Sequence, residues 1–252
     1  MVFVRAAARC VLLILHFLLG LVMTLLNGQR LNSDILRTNP RVTTWWQNRS
    51  CDILGIQITV SGYRPKPPVL MVSNHVSWLD IIVLNALTPT VFLSKSEVQR
   101  WPIIGWLATR AGTIFIRRGN GETHTVKAQI AERLQADELV TIFAEGTTTD
   151  GRQVRPFFPR LFAAAIETET PVVPVALRYH VDGDFDPIAP YTDNQTLLDN
   201  FLGLIGRPHT RVHITFGEPI SVTGLHRRAA AQRAHSAVQE ALYAPRPLTG
   251  TD

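Results

Sequence analysis

Cysteine is nearly absent from this chain: of 252 residues, only Cys10 and Cys51 carry a thiol. Two thiols so few and so far apart exclude a disulfide scaffold or a cysteine metal site and point to a reducing cytoplasm. No Gly-x-Ser-x-Gly pentapeptide occurs, which excludes a serine hydrolase of the nucleophile-elbow kind. Walker loops and dinucleotide fingerprints are missing as well, and so is any zinc finger, RNP motif or long basic arm. There is no internal repeat and no long linker. Charged residues are sparse at 18%, but 46% of the chain is hydrophobic, the balance of a folded protein. Acids are the scarcer charge, 20 against 25 Lys and Arg, and the resulting +5 with a pI near 9.7 calls for an anionic partner. Nucleic acid, anionic lipid head groups and acidic carrier molecules are the candidates.

What the chain does have is one long apolar run, "CVLLILHFLLGLVMTLL", 17 residues from Cys10 to Leu26 interrupted only by His16 and Thr24. As a helix it is roughly 25 Å long against a hydrocarbon core of roughly 30 Å, so it can span with snorkelling flanks or lie within one leaflet. Arg5 and Arg9 precede it without an acid, which favours a cytoplasmic start. The run leaves into Asn27, Gly28, Gln29 and Arg30 with no small-x-small cleavage site, so a retained anchor is expected rather than a signal peptide. Residues 40–50, "PRVTTWWQNRS", have an interfacial composition, although Trp45 and Trp46 suit core packing equally well. Membrane therefore outranks nucleic acid as the partner. The organisation expected is an anchor and interfacial helix over 1–52, one domain over 53–244 and a frayed tail over 245–252.

Beyond residue 55 the pattern alternates. Strands are predicted at Ile56–Val60, Val69–Val72, Val91–Leu93, Thr113–Ile116, Val140–Phe143, Val172–Leu177 and Val212–Phe216. Helices are predicted at Trp78–Leu87, Glu122–Leu134, Leu161–Glu167, Thr196–Ile205 and Arg227–Leu242. Such alternation implies an α/β fold, a mixed and mainly parallel sheet covered by helices, with its site in loops at the carboxyl ends of strands.

Two polar motifs leave apolar strands in that way. "SNHVSWLD", residues 73–80, sets His75 five positions before Asp80. Within one helix these would sit roughly 140° apart and not meet. With His75 before the first turn, the carboxylate can fold back, hold the imidazole in one tautomer and stabilise it when it takes a proton from a hydroxyl. The same residues also read as a capping box, Ser77 with Asp80, beside an incidental histidine. "FAEGTTTDG", residues 143–151, offers a carboxylate at Glu145, a backbone free to approach a ligand at Gly146, and three hydroxyls; it also reads as a turn with threonine caps. His209 and His213 have zinc-like spacing, but on a strand four residues separate side chains by roughly 13 Å, and no metal is expected.

Taken together these residues resemble the glycerolipid acyltransferases, the family of 1-acyl-sn-glycerol-3-phosphate acyltransferase. "NHVSWLD" is similar to its His-x4-Asp block, "GTIFIRR" at 112–118 to the second block ending in Arg118, "FAEGTTTDG" to the Phe-Pro-Glu-Gly-Thr block, and "VVPVAL" at 172–177 to the fourth, centred on Pro174. The four occur in family order within about residues 55–220. The resemblance implies a glycerol-3-phosphate acyltransferase-like fold and transfer of an acyl group from acyl-CoA or acyl carrier protein to the free hydroxyl of a lysolipid in membrane lipid synthesis. It implies no cofactor and no covalent intermediate, His75 as general base, Asp80 as its orienting partner, and Arg118, Glu145, Gly146, Thr147 and Thr148 on the acceptor. The sequence departs at Thr148, where enzymes acting on lysophosphatidic acid commonly carry arginine, at Ala144 for proline and at Phe158 for lysine. Arg118, Arg152 and Arg155 are left as replacement charges, and the "EGTTTDG" form looks more like lyso-ornithine lipid acyltransferases. A non-enzymatic lipid-binding protein explains the anchor and charge but not the assembled polar residues; a lipid hydrolase would use water as acceptor.

Overall fold

The computed structural model describes residues 1–26, 28–30, 36–116, 123–192 and 195–244; the tail 245–252 and Arg118 lie outside the described residues. In chain order the elements are α1 (Val2–Leu26), β1 (Gly28–Arg30), β2 (Leu36–Thr38), α2 (Pro40–Leu54), β3 (Ile56–Ser61), β4 (Val69–Ser73), α3 (Leu79–Leu87), β5 (Val91–Lys95), α4 (Ser96–Gln99), α5 (Ile104–Arg110), β6 (Ile114–Ile116), α6 (Thr123–Gln135) and β7 (Leu139–Phe143). A 3-10 turn (Pro159–Phe162) leads into α7 (Ala163–Glu167), followed by β8 (Val172–Val181), β9 (Asp184–Phe185), α8 (Leu197–Ile205), β10 (Thr210–Phe216) and α9 (Arg227–Tyr243).

The main sheet has the order β3-β10-β8-β4-β7-β5-β6, with β9 paired to β8. Its neighbours run parallel except where β8 meets β10 and β9, which is the mixed, mainly parallel α/β fold expected from the alternation. β4 lies at the centre and all five of its residues are buried, which is why Val69–Val72 reads as an unbroken apolar run rather than an alternating one. Its residues alternate between two cores all the same. Leu70 and Val72 face one with Ile130, Phe162 and Ala234, from the side of α6, α7 and α9. Val69 and Met71 face the other with Val83, Leu84, Leu204 and Leu54, from the side of α2, α3 and α8.

The N-terminal helix is inside out relative to a soluble amphipathic helix. Its buried residues are Leu13, His16, Gly20 and Thr24, a stripe with helical spacing, while Val11, Leu12, Ile14, Leu15, Leu18 and Leu19 are exposed. Apart from Leu13 the contact is made by small and polar residues, and with apolar residues outward this is the pattern of a helix facing lipid. The stripe explains the two interruptions in the apolar run. His16 stacks on Trp46 of α2 at 4.6 Å, its Nε2 lies 3.0 Å from both the Trp46 carbonyl and Ser50 Oγ, and Trp46 Nε1 donates back to the His16 carbonyl. At Gly20 a Cβ would fall 2.7 Å from Trp46 Nε1, so glycine is needed for the indole to lie flat. The two tryptophans thus divide: Trp46 packs against α1 and Trp45 remains 43% exposed. The helix itself begins at Val2, eight residues before the apolar run, and Arg5 and Arg9 donate to the carbonyls of Ile205, Gly206, Arg207 and Pro208, at the end of α8 and just past it. The Ile205 and Gly206 carbonyls end α8, so the two guanidinium groups satisfy orphan acceptors where positive charge is favoured and extend the contact to the segment that follows.

Cys51 joins the core under α2, and burial, with Asp52 beside it, pushes its thiol up to about 12. Alkylation at pH 8 followed by peptide mass mapping should leave Cys51 unmodified in the folded protein and modify it after denaturation, since the thiolate is the nucleophile. Equal rates in both states would mean that α2 is not docked.

Candidate active site

β4 and β7 are adjacent and parallel, with Ser73 level with Phe143. The loops that follow them, 74–78 and 144–149, are therefore side by side at the carboxyl edge of the sheet, as open α/β sheets place their sites. The first loop is fixed group by group. Asn74 imitates a strand partner by accepting from Leu177 N–H at 2.8 Å and donating to its carbonyl at 2.9 Å. His75 N–H donates to Glu145 Oε1 at 2.8 Å and its carbonyl accepts from Thr149 N–H at 2.9 Å. The Val76 carbonyl accepts from Tyr191 N–H, and Trp78 Nε1 donates to Asn200 Oδ1 on α8. Little backbone freedom remains to blur the position of the imidazole, which is the condition for a preorganised base.

Asp80 is fully buried on the first turn of α3 and folds back over this loop. Its Oδ2 accepts from His75 Nδ1 at 2.8 Å and from the N–H groups of Val76 and Ser77 at 2.7 and 3.0 Å. Its Oδ1 accepts from the Tyr179 phenol at 2.8 Å. The two readings of "SNHVSWLD" merge here. The carboxylate reaches back to the loop N–H groups as in a capping box, but the Ser77 hydroxyl is buried without a hydrogen-bond partner among the described residues and makes no reciprocal cap. With Nδ1–H given to Asp80, Nε2 is the acceptor nitrogen. The ring lies on Phe143 at 4.0 Å and is 20% exposed, and Nε2 has no protein hydrogen bond among the described residues.

Glu145 is 4% exposed, and both its oxygens are engaged: Oε1 by His75 N–H and Oε2 by Arg155 N–H at 2.7 Å. Burial pushes this carboxyl above the ordinary range, and the two N–H groups pull it partly back. The folded protein accordingly binds this proton at higher pH than the unfolded chain does, so the group favours the fold as pH falls towards 4.5 and penalises it above its own raised value. An exchange of Glu145→Gln must turn an NH2 against one of the two N–H donors. It should lower stability by about 1–3 kcal/mol and loosen the His75 loop. Turnover should fall more than acceptor KM rises, and thermal unfolding with steady-state kinetics checks both. Gly146 follows at φ 71°, the left-handed conformation that turns the chain back, with its N–H on the Phe143 carbonyl. Thr147 and Thr148 are half-buried in the loop beside His75. The structure thus joins His75, Asp80, Glu145 and the Gly146–Thr148 loop; Pro174 lies level with Val72 inside the sheet. Arg152 is turned away over the Phe185 ring at 5.3 Å and towards Asp184 at 3.8 Å.

A lyso-ornithine lipid O-acyltransferase of Pseudomonas aeruginosa is 43% identical over 234 residues, which cover 92% of this chain and 91% of that protein. The acyltransferase family profile matches residues 56–178. The chain belongs to the acyltransferase family. Another lyso-ornithine lipid O-acyltransferase, from Brucella abortus, is 37% identical over 72% of this chain and 73% of that protein. A 1-acyl-sn-glycerol-3-phosphate acyltransferase of Neisseria gonorrhoeae is 38% identical over 50% of this chain and 51% of that protein. The crystal structure of the 1-acyl-sn-glycerophosphate acyltransferase of Thermotoga maritima shares the fold, with a TM-score of 0.60 at 20% identity over 82% of this chain and 81% of that one.

In this acyltransferase the residues that sequence reasoning missed are those that hold the dyad. Tyr179 is 99 residues from Asp80, and Phe143 supplies a ring for His75 to rest on. The only signal for Tyr179 was parity: Val173, Val175, Leu177 and Tyr179 share one face of β8, the face towards α3.

Proposed function

We propose that the acyltransferase moves a fatty acyl group from an acyl thioester, acyl-CoA or acyl carrier protein, to the free hydroxyl of a lysolipid, and that the acceptor is lyso-ornithine lipid. The observation that carries the reaction is the oriented dyad, with His75 Nδ1 2.8 Å from a buried carboxylate and Nε2 left open. Nε2 takes the proton of the acceptor hydroxyl while its oxygen bonds to the thioester carbonyl carbon. The tetrahedral oxyanion then collapses, the C–S bond breaks, and the imidazolium returns the proton to the departing thiolate. Asp80 stabilises the imidazolium between the two transfers. No residue forms a covalent intermediate.

Gly146, Thr147, Thr148 and Arg118 are assigned to the acceptor side, and Glu145 acts there through the two loops it ties. Thr148 favours an acceptor without a phosphate monoester: its hydroxyl suits an amino-acid head group, whereas a guanidinium would grip phosphate bidentately. The likeness to two lyso-ornithine lipid O-acyltransferases over most of the chain supports the same choice.

The exposed face of α1 is assigned to the membrane on the cytoplasmic side. Its first turns are tied to α8 by Arg5 and Arg9 and its centre to α2 by His16. It therefore enters lipid as part of the domain surface, within one leaflet. The test is a panel of lyso-ornithine lipid, lysophosphatidic acid and other lysophospholipids with acyl-CoA and acyl carrier protein, read by mass spectrometry. Formation of ornithine lipid supports the proposal; acylation of lysophosphatidic acid alone overturns the acceptor, and no acylated product overturns the reaction.

A further inference from the structure

We infer that Tyr179 is a positioning residue of this reaction: its phenol pins Asp80 Oδ1 so that Oδ2 stays on His75 and the dyad keeps its orientation and basicity. The inference rests on the proposed general-base role of His75. β8 is the neighbour of β4, and their register ends with Ser73 level with Val175. The strand then continues to Val181. Tyr179 therefore stands four residues, roughly 13 Å, past the end of β4, where the chain that left β4 has turned into α3. The side chain is 2% exposed, and its hydroxyl meets Asp80 Oδ1 at 2.8 Å.

The carboxylate would be poorly defined without it. Rotation about the last bond of an aspartate is soft and roughly two-fold, and the three N–H donors from His75, Val76 and Ser77 all converge on Oδ2. The phenol is the donor that fixes the other oxygen. It occupies a place that an apolar ring would fill equally well by shape, and that would leave Oδ1 buried without a partner. The groups facing the pair are the Cys51 thiol from α2, Asp186 after β9 held by Arg207 at 2.7 and 2.9 Å, and His75 itself. Burial and the adjacent Asp80 anion push the phenol well above 10, so it remains a neutral donor across the range in which a histidine base works. A neutral donor draws charge from the carboxylate. Its removal makes Asp80 a stronger partner for imidazolium, so the base is lost to protonation at a higher pH.

The test is Tyr179→Phe in the full-length protein. Turnover should fall about ten- to a hundredfold with acceptor KM within about threefold, and the acidic limb of the pH–rate profile should move to higher pH. Nitrogen-15 labelling of histidine gives a readout that needs no turnover: the His75 Nδ1–H proton resonance, assigned by its loss in His75→Ala, should shift. As a control, Thr141→Val breaks another buried hydroxyl pair, Thr90 with Thr141 at 2.6 Å, away from the dyad. It should lower stability without moving the limb or the resonance. A Tyr179→Phe protein with the parent's acidic limb and the parent's resonance would overturn the inference, whatever its turnover. If the parent acylates no lysolipid, the proposed function falls, and the resonance alone still decides the role of Tyr179.

Discussion

His75→Ala should leave a folded protein whose acyl transfer is slower by about 10²–10⁴-fold, the range that a positioned general base supplies. The two halves of this expectation come from different contacts. Catalysis is lost because Nε2 is the open acceptor in the loop cluster and no other imidazole joins the dyad there among the described residues. Stability is largely kept because the backbone bonds of residue 75, to Glu145 and Thr149, do not need its side chain. Asp80 Oδ2 loses one donor and keeps two, from Val76 and Ser77. The cost to the fold should be about 1 kcal/mol for one hydrogen bond plus a partly exposed ring. Thermal unfolding alongside product formation from acyl donor and lysolipid separates the two, and retained turnover would remove His75 from the mechanism.

Where the sequence was legible, one physical signal dominated. Val69–Val72 and Val140–Phe143 are central strands buried on both faces, so their apolar runs were unmistakable, and the polar residues after them marked the site. Where it was illegible, the determinants were distant or weak. α5 is seven residues of "IGWLATR" without clear periodicity, and β8 runs four residues beyond Leu177 through Arg178, Tyr179, His180 and Val181, where Arg178 and His180 break the continuous apolar run. At Glu145 a carboxylate among hydroxyls suggests a group reaching for the acceptor. That its two oxygens tie two loops together is a fact of tertiary register between β4 and β7. His16 looked like a flaw in a lipid-facing run, and it proved to be the contact that makes that run one-sided.

Asp80→Asn discriminates best between a carboxylate that caps a helix and one that serves a base. An amide can keep its oxygen where Oδ2 now lies, so His75 Nδ1–H, Val76 N–H and Ser77 N–H retain an acceptor. Its NH2 then faces the Tyr179 oxygen, which can accept if the phenol turns its hydrogen away. Geometry and cap are therefore mostly preserved, and the loss of stability should be about 1–2 kcal/mol. The negative charge is gone, however, and with it the stabilisation of the imidazolium formed during transfer. Turnover should fall about 10²–10⁴-fold with acceptor KM little changed, the signature of an interaction made only in the transition state. Asp80→Ala should differ in kind: it leaves three N–H groups and a phenol without their acceptor in the interior, and destabilises by several times as much, at about 1–3 kcal/mol for each buried group left unpaired. If Asp80 were only a cap, the asparagine variant would keep its turnover and only the alanine variant would suffer, through unfolding. A large loss of turnover in an asparagine variant that melts near the parent comes from what the carboxylate does for His75, its charge and its hold on the Nδ1–H tautomer, and not from the cap.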